Sequence, residues 1–287
     1  MFPGPTMAAV TGRESVLGMR WTVPGPLAEH ELVRSTERDD RANSVLGRAF
    51  TLLTAFRPGD GAVSISEMSR RTGIAKPTAH RILHQLREWG AVEIGDDGVR
   101  VGMGLFELGQ LARRPRDLRD AATPFLTDLF GATGETVHLA VADGVEVVYV
   151  AKLEGRRGPA VGSRVGGRMP AYCTGVGKAL LAHAPPDQLR GVLAQGLVRR
   201  TPRTVVAPGL LTKELERIRR QGYAEEHEES TPGIACVAAP VLDADGAAVA
   251  AVSITGQVHR IDTARLAPAV RTAALGISRS LGARDAP

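Results

Sequence analysis

The sequence predicts an α+β protein of two domains, and three observations carry that prediction. Near the start, three helical segments with a glycine-containing turn before the third run into a short hairpin. Beyond residue 118, strands of period two come in pairs closed by Asp143-Gly144 and Asp245-Gly246. Helices lie between and after those pairs, the pattern of an antiparallel sheet covered by helices. At 287 residues the chain is long enough for two separate cores.

Residues 1–40 are rich in Pro, Gly and charge, show no period, and read as a disordered extension in which Met7 or Met19 is an alternative start. From Ser44 a helical period places Val45, Leu46, Ala49, Leu52, Leu53 and Phe56 on one face, and Pro58-Gly59 ends it. Ser64–Arg71 forms a second helix with Ile65, Met68 and Ser69 inward; Gly73 breaks the chain. The third helix runs from Lys76 to Trp89 and is closed by Gly90. Ala91–Val101 alternates around Gly95-Asp96-Asp97-Gly98, a hairpin. A helix over Gly104–Arg114 is ended by Pro115. The boundaries expected are thus 1–40, 41–103, a linking helix at 104–117, and 118–287.

The second domain opens with a helix at Leu118–Phe130. Strands follow at Thr136–Ala142 and Val145–Leu153, then a Gly- and Arg-rich stretch. Helices fit Gly175–Ala184, Pro186–Gln195 and Pro208–Gln221. A second strand pair, Cys236–Leu242 and Ala247–Thr255, precedes a last helix at Asp262–Gly282.

Composition narrows the function. No apolar run approaches the ~20 residues that cross a bilayer, and the N-terminus lacks a basic cluster followed by an apolar stretch. Two cysteines do not make a disulfide scaffold. A soluble, cytoplasmic protein is expected, without membrane contact. The net charge is +5, but residues 41–114 hold eleven Lys/Arg against seven Asp/Glu while the first forty hold four against six. The basic excess sits in the three-helix segment, as nucleic-acid binding requires.

That segment has the order of a winged helix-turn-helix. In its third helix Ala79, Ile82, Leu83 and Leu86 share a narrow arc and pack inward. The opposite arc carries Pro77, Arg81, His84 and Glu88, flanked by Thr78, His80 and Gln85. Such a face suits the major groove of double-stranded operator DNA: Arg81 reaches guanine, while Thr78 and Gln85 are mixed donors and acceptors. Ser64, Ser66, Lys76 and the wing residue Arg100 are candidate phosphate contacts. Thr78, His80, Arg81, His84 and Gln85 are the candidate base-facing set.

The run Ser66-Glu67-Met68-Ser69-Arg70-Arg71-Thr72-Gly73-Ile74-Ala75-Lys76-Pro77-Thr78-Ala79-His80-Arg81-Ile82-Leu83, continued by Trp89-Gly90-Ala91-Val92-Glu93, resembles the helix-turn-helix of the isocitrate lyase regulator (IclR) family. It departs from the family's Pro-Lys-Ser/Thr helix start in placing Lys76 before Pro77. Further stretches also resemble that family: 133–140, Thr174-Gly175-Val176-Gly177-Lys178-Ala179, Thr201-Pro202-Arg203-Thr204, and Gly233–Val241. The resemblance covers 44–282 in one order. It implies a transcription regulator whose C-terminal domain has GAF-like topology and binds a small organic effector, often an aromatic or other organic acid. The effector candidates it implies are Met169, Tyr172, Thr174, Gly175, Val176, Glu226, Cys236, Ser253 and Thr255. It also implies a homodimer or homotetramer, with no cofactor and no metal.

The residues agree in part. Gly175 and Gly177 before an apolar helix let amides approach a ligand, and Ser253 and Thr255 share one strand face. Glu226 stands among Glu225, Glu228 and Glu229, whose charge repels an anion; either Arg164 or Arg168 offsets it, or the effector is not an acid. Leu105, Leu108 and Leu111 of the linking helix, with the first helix, are expected to join two copies. Two rivals remain at this stage. One is a thiol enzyme using Cys173 or Cys236 with His183 or His138, for which no orienting group or local signature is present; His183 reads as a surface residue on its helix. The other is a sensing module without DNA binding. No Cys/His pair has zinc-ligand spacing.

Overall fold

The computed structural model describes residues 44–155 and 163–284; the extension expected at 1–40 lies outside the described residues. The chain forms two compact units, one ending at Gly109 and the other beginning at Gln110.

The first unit is built on α1 (Val45–Leu53), α2 (Ile65–Thr72) and α3 (Lys76–Glu88), followed by the hairpin β1 (Val92–Gly95) and β2 (Gly98–Val101) and by α4 (Met103–Gln110). Local chemistry sets its boundaries. Ser44 and Ser64 cap α1 and α2, their hydroxyls accepting from Gly47 and Glu67 N–H groups at 3.0 and 3.2 Å. Gly73 ends α2 in the left-handed region at φ 72°. Leu52, Met68, Ala79, Ile82, Leu83, Val92 and Val99 fill one core. A bridge from Val63 to Val99 extends the hairpin, with hydrogen bonds of 2.8 and 2.9 Å. Gly98 permits it: at φ 131° a Cβ there would stand 2.8 Å from the Val63 carbonyl.

Two expectations for this unit are corrected. Of the six residues placed on the inward face of the first helix, only Ala49 and Leu52 are buried, and Val45 and Leu46 are 56% and 73% exposed. A helical period marks what an apolar face can bury, not what its own chain covers. The linking helix stops at Gln110, four residues early, and Pro115 lies in the first turn of the next helix rather than ending this one. First-turn N–H groups have no intrahelical acceptor, so a proline there costs no hydrogen bond.

The second unit begins with α5 (Arg113–Thr133). Six strands follow along the chain: β3 (Thr136–Asp143), β4 (Glu146–Leu153), β5 (Arg168–Pro170), β6 (Ala224–His227), β7 (Ile234–Leu242) and β8 (Ala248–Gln257). They form one sheet in the order β5-β4-β3-β8-β7-β6, with every neighbouring pair antiparallel. A 3-10 turn at Ala171–Cys173 leads into α6 (Gly175–Leu181), then α7 (Pro186–Gln195) and α8 (Pro208–Gln221); α9 (Thr263–Arg284) closes the chain.

Strand alternation gives the sheet two apolar faces. Val137, Leu139, Val237, Val252 and Ile254 pack with Leu118, Leu126, Val270 and Ile277 of α5 and α9. Ala140, Val147, Tyr149, Ala238 and Ala251 pack with Val176, Leu180, Leu211 and Leu215 of α6 and α8. Strands β5 and β6 are absent from the sequence reading because three or four residues carry too little alternation to detect. His183 is also corrected. The helix ends at Leu181, and His183 sits half-buried in the turn beyond it, with Nε2 enclosed and unbonded among the described residues.

Helix α6 lies against backbone because Gly177 has no side chain: a Cβ there would fall on the Ala171 carbonyl and Cα. Gly177→Ala is therefore expected to destabilise the protein by ~1–3 kcal/mol through overpacking. Gly191→Ala in α7, whose Cβ would meet Val145 at an ordinary 3.8 Å, should be neutral or stabilising by up to ~1 kcal/mol. Urea denaturation of both variants checks the contrast, and equal effects would refute the close-approach argument.

Candidate functional site

The first unit presents one outward helix face. Ala79, Ile82 and Leu83 hold α3 to the core while Lys76, Pro77, His80, Arg81 and Gln85 are exposed and Thr78 and His84 half-covered. His80 and His84 are one turn apart with ring centroids at 4.2 Å. Partial burial, then the positive charge of His80 and Arg87, lowers the pKa of His84. No side chain caps the α3 N terminus, and Pro77 occupies its first turn. The remaining N–H groups and the helix dipole are directed outward, an arrangement that accepts phosphate.

The basic count of this unit does not translate directly into available charge. Arg71 is 12% exposed and bracketed by Asp60 and Glu67, and Arg70 also pairs with Glu67. Arg100 stands on the wing in an exposed pair with Asp97. Lys76, Arg81 and Arg87 have no ion pair among the described residues. Ser66 is exposed in the first turn of α2, and Ser64 spends its oxygen lone pair on the cap while its O–H can still donate.

In the second unit the pairing registers assemble a polar row on the α6 face of the sheet. His138 of β3 is opposite Ser253 of β8, Thr255 is opposite Cys236 of β7, and Cys236 is opposite Glu226 of β6. All five are buried. His138 Nε2 lies 2.8 Å from the Ser163 hydroxyl, and Nδ1 lies 3.5 and 3.4 Å from the Ser253 and Thr255 hydroxyls. Burial, helped by Lys152, pushes His138 down to about 3, so a neutral imidazole faces the site. Tyr149 lies beside it, ring centroids 5.0 Å apart. Gly175 brings the start of α6 over this row; a Cβ there would stand 2.7 Å from Cys236 Sγ.

The other predicted residues divide. Met169, Tyr172 and Val176 belong to the apolar core on this face, and the Tyr172 hydroxyl donates to the Val198 carbonyl at 2.6 Å. Thr174 caps α6 by accepting from Gly177 N–H at 3.3 Å while donating to the Pro170 carbonyl at 3.0 Å. Its hydroxyl is thus occupied with shaping the turn.

The charge balance is the main surprise. Neither Arg164 nor Arg168 offsets the glutamates: Arg168 pairs with Asp143 and Glu146, and Arg164 bonds the Val165 carbonyl. Lys178 does so instead. Fully buried, it donates to Glu214 at 2.8 Å and Glu229 at 2.5 Å. Burial opposes its charge, but the two carboxylates outweigh burial and raise its pKa. Glu226 accepts from the Glu229 and Ser230 N–H groups at 2.5 and 3.1 Å, and burial pushes it up to about 7. Glu225, by contrast, bonds Thr263 of α9, and Glu228 pairs with Arg203. Thr201 and Thr204 hold the Glu228 and Glu229 carbonyls at 2.6 and 2.7 Å, fixing the loop behind Glu226.

Lys178, Tyr149 and Ser163 are not among the effector candidates expected from the sequence, and His138 is named there only as a candidate base of the thiol-enzyme rival. A lysine within the apolar run 175–182, and a histidine on the same alternating face as Thr136 and Ala140, were the signals available. Burial raises Cys173 to about 12 and Cys236 to about 11, which disfavours the thiolate that the enzyme rival requires. A separate cleft of about 240 Å³ lies between α5 and β4, lined by Arg119, Leu126, Val150 and Lys152. No described helix is long and apolar enough to cross a membrane.

Comparison with known proteins identifies the family of both units. Residues 45–94 match the IclR helix-turn-helix domain, and residues 111–279 match the bacterial transcriptional regulator IclR C-terminal domain. The chain is 34% identical to the HTH-type transcriptional regulator XynR of Escherichia coli over 241 residues, 82% of this chain and 96% of that one. It is 33% identical to the transcriptional repressor AllR of Salmonella typhi, over 83% of this chain and 89% of that protein. An IclR homologue from Microbacterium hydrocarbonoxydans, solved in complex with 4-hydroxybenzoate, superposes with a TM-score of 0.78 at 31% identity, covering 84% and 100% of the two chains. The Thermotoga maritima IclR structure gives 0.70 at 36% identity, over 83% and 98%. With a DNA-binding helix-turn-helix followed by an effector-binding domain, this chain belongs to the IclR family of bacterial transcriptional regulators.

Proposed function

We propose that the protein acts in the cytoplasm and binds a near-palindromic operator as a dimer, reading bases with Arg81, Thr78, His80, His84 and Gln85 and holding phosphates with Ser64, Ser66, Lys76 and Arg100. The observation that carries this is the uncovered basic face of α3 above a fully packed inward face. A dimer is favoured by the apolar surface the first unit leaves outside its core: Val45, Leu46, Phe50, Met103, Phe106 and Leu108 are all more than half exposed. A second copy of the same surface is the natural cover for such a patch. The resemblance also allows pairing of dimers into a tetramer.

The effector is proposed to be a small organic acid held on the row His138–Ser253–Thr255–Cys236–Glu226 under the start of α6, with Met169, Tyr172, Thr174, Gly175 and Val176 shaping the apolar wall. A few convergent polar groups in apolar surroundings are what such a ligand needs. The Microbacterium relative's bound 4-hydroxybenzoate supports the class. By binding one operator-affinity state better than the other, the effector shifts their populations.

Four outcomes follow from these assignments. Operator affinity should fall steeply with salt, as neutralised phosphates release counterions. Arg81→Ala should cost ~1–3 kcal/mol and relax sequence preference, whereas Arg100→Ala should weaken all sequences alike. Fluorescence anisotropy on operator and scrambled duplexes checks this, and equal losses on every sequence would remove Arg81 as a base reader. Sedimentation of Phe106→Glu should show monomers with operator binding reduced at least tenfold; an unchanged dimer would place the interface elsewhere.

The fourth outcome concerns pH. Because the folded His138 pKa is depressed from an ordinary ~6.5, its stabilising contribution is present above about 6.5 and is lost as pH falls toward about 3. The slope approaches ~1.4 kcal/mol per pH unit. Thermal melts between about pH 7 and 5 should fall less steeply in His138→Gln than in the wild type. Parallel curves would exclude a neutral buried His138.

A further inference from the structure

Three glutamates and one lysine meet beneath the start of α6, and their charges do not balance. Lys178 is shared by Glu214 and Glu229, and Arg217 stands 3.8 Å from Glu214 at the outer edge. Glu226 is 2% exposed and has no ion pair among the described residues. Its Oε1 takes both backbone N–H bonds. The groups that act on Glu226 are Lys178 from α6 and Glu229 from the loop after its own strand; Glu226 in turn acts on Cys236 of β7, Tyr149 of β4 and Cys173 of the 3-10 turn. Burial holds the phenol and both thiols in their neutral forms, and His138 is a neutral base, so none of them supplies a compensating charge.

A carboxylate effector brings a further negative charge to this cluster. Like charges sharing a buried site do not all stay ionised; one takes up a proton. Glu214 and Glu229 both pair with the Lys178 ammonium, although burial raises the Glu229 pKa and leaves its Oε2 without a hydrogen-bond partner among the described residues. Glu226 is the carboxyl without a counter-ion.

We propose that Glu226 determines the effector class by working as a neutral carboxylic acid, so that a monocarboxylate enters the site together with one proton. The inference rests on the organic-acid reading of this site given above. The proton comes from solvent, resides on Glu226, and turns a repulsive pair of carboxylates into a charge-assisted O–H···O⁻ bond. Burial already pushes Glu226 up to about 7 before any ligand arrives. A second carboxylate can only strengthen proton retention.

The test is titration calorimetry of the full-length protein with 4-hydroxybenzoate, benzoate and lactate at about pH 6 and pH 8, in two buffers of different ionisation heat. Expected is uptake of up to one proton per acid bound at about pH 8, and an affinity for the tightest of the three that is about tenfold weaker than at about pH 6. Glu226→Gln, neutral and similar in shape, should bind with the same affinity at both pH values and take up no proton at this group. Should that variant fail to fold, the two-buffer proton count on the wild type stands alone. Wild-type affinity that is equal at the two pH values, with no proton uptake, would overturn the proposal while leaving the acid-binding site intact.

Ligand-free melting separates the two readings. The raised folded pKa of Glu226 contributes stability below its unfolded value of ~4.5 that is lost as pH rises through about 7. The wild type should therefore lose stability relative to Glu226→Gln between about pH 6 and 8. If that slope is present but none of the acids binds either form, the organic-acid reading fails and this proposal falls with it.

Discussion

The effector unit depends on how closely the start of α6 approaches its neighbours. Gly175 lets the helix backbone rest on Cys236, and Gly177 lets it rest on the Ala171 backbone. With side chains at those positions the helix would ride higher, and the row from His138 to Glu226 would open to water. Because it does not, the row sits in a low-dielectric environment in which each proton and each charge must be accounted for. The neutral His138, the protonated thiols and the raised Glu226 pKa follow from that burial, whereas the Lys178 ammonium is retained against it by two carboxylates.

Lys178 shows how such a constraint propagates. A buried ammonium needs paired carboxylates, and these come from two separate elements: Glu214 on α8 and Glu229 on the loop after β6. That loop is in turn held by the hydroxyls of Thr201 and Thr204, which bind the Glu228 and Glu229 carbonyls. The stretch Thr201–Thr204 thus influences the site from a distance. It orients the backbone N–H groups that Glu226 accepts, without facing the row itself.

Much of the fold was legible because its signals are local. Asp-Gly turns located both large hairpins, helical periodicity located α3 and α8, and caps such as Ser44 and Gly73 marked boundaries. What escaped depended on partners distant in sequence. Strand β6 reads Ala-Glu-Glu-His and exists because β7 pairs with it. Arg168 looked available as a counter-charge, yet pairing beside β4 commits it to Asp143 and Glu146. Ser253 and Thr255 could be placed on one face by period two, but their neighbour His138 required the register between β3 and β8. Val45 and Leu46 had the right period and still lie outside the core of their own unit.

The bridge between Val63 and Val99 has a mechanical implication. It ties the wing to the residue immediately before Ser64, which begins α2, while α2 packs on α3 through Met68 and Ile82. Wing and reading helix are therefore stiffly joined through a short path of hydrogen bonds and core contacts, not hung on separate hinges. A surface assembled this way meets the duplex as a stamp with fixed relief. Its grip is then tuned less by reshaping the relief than by altering how often the stamp is brought to bear.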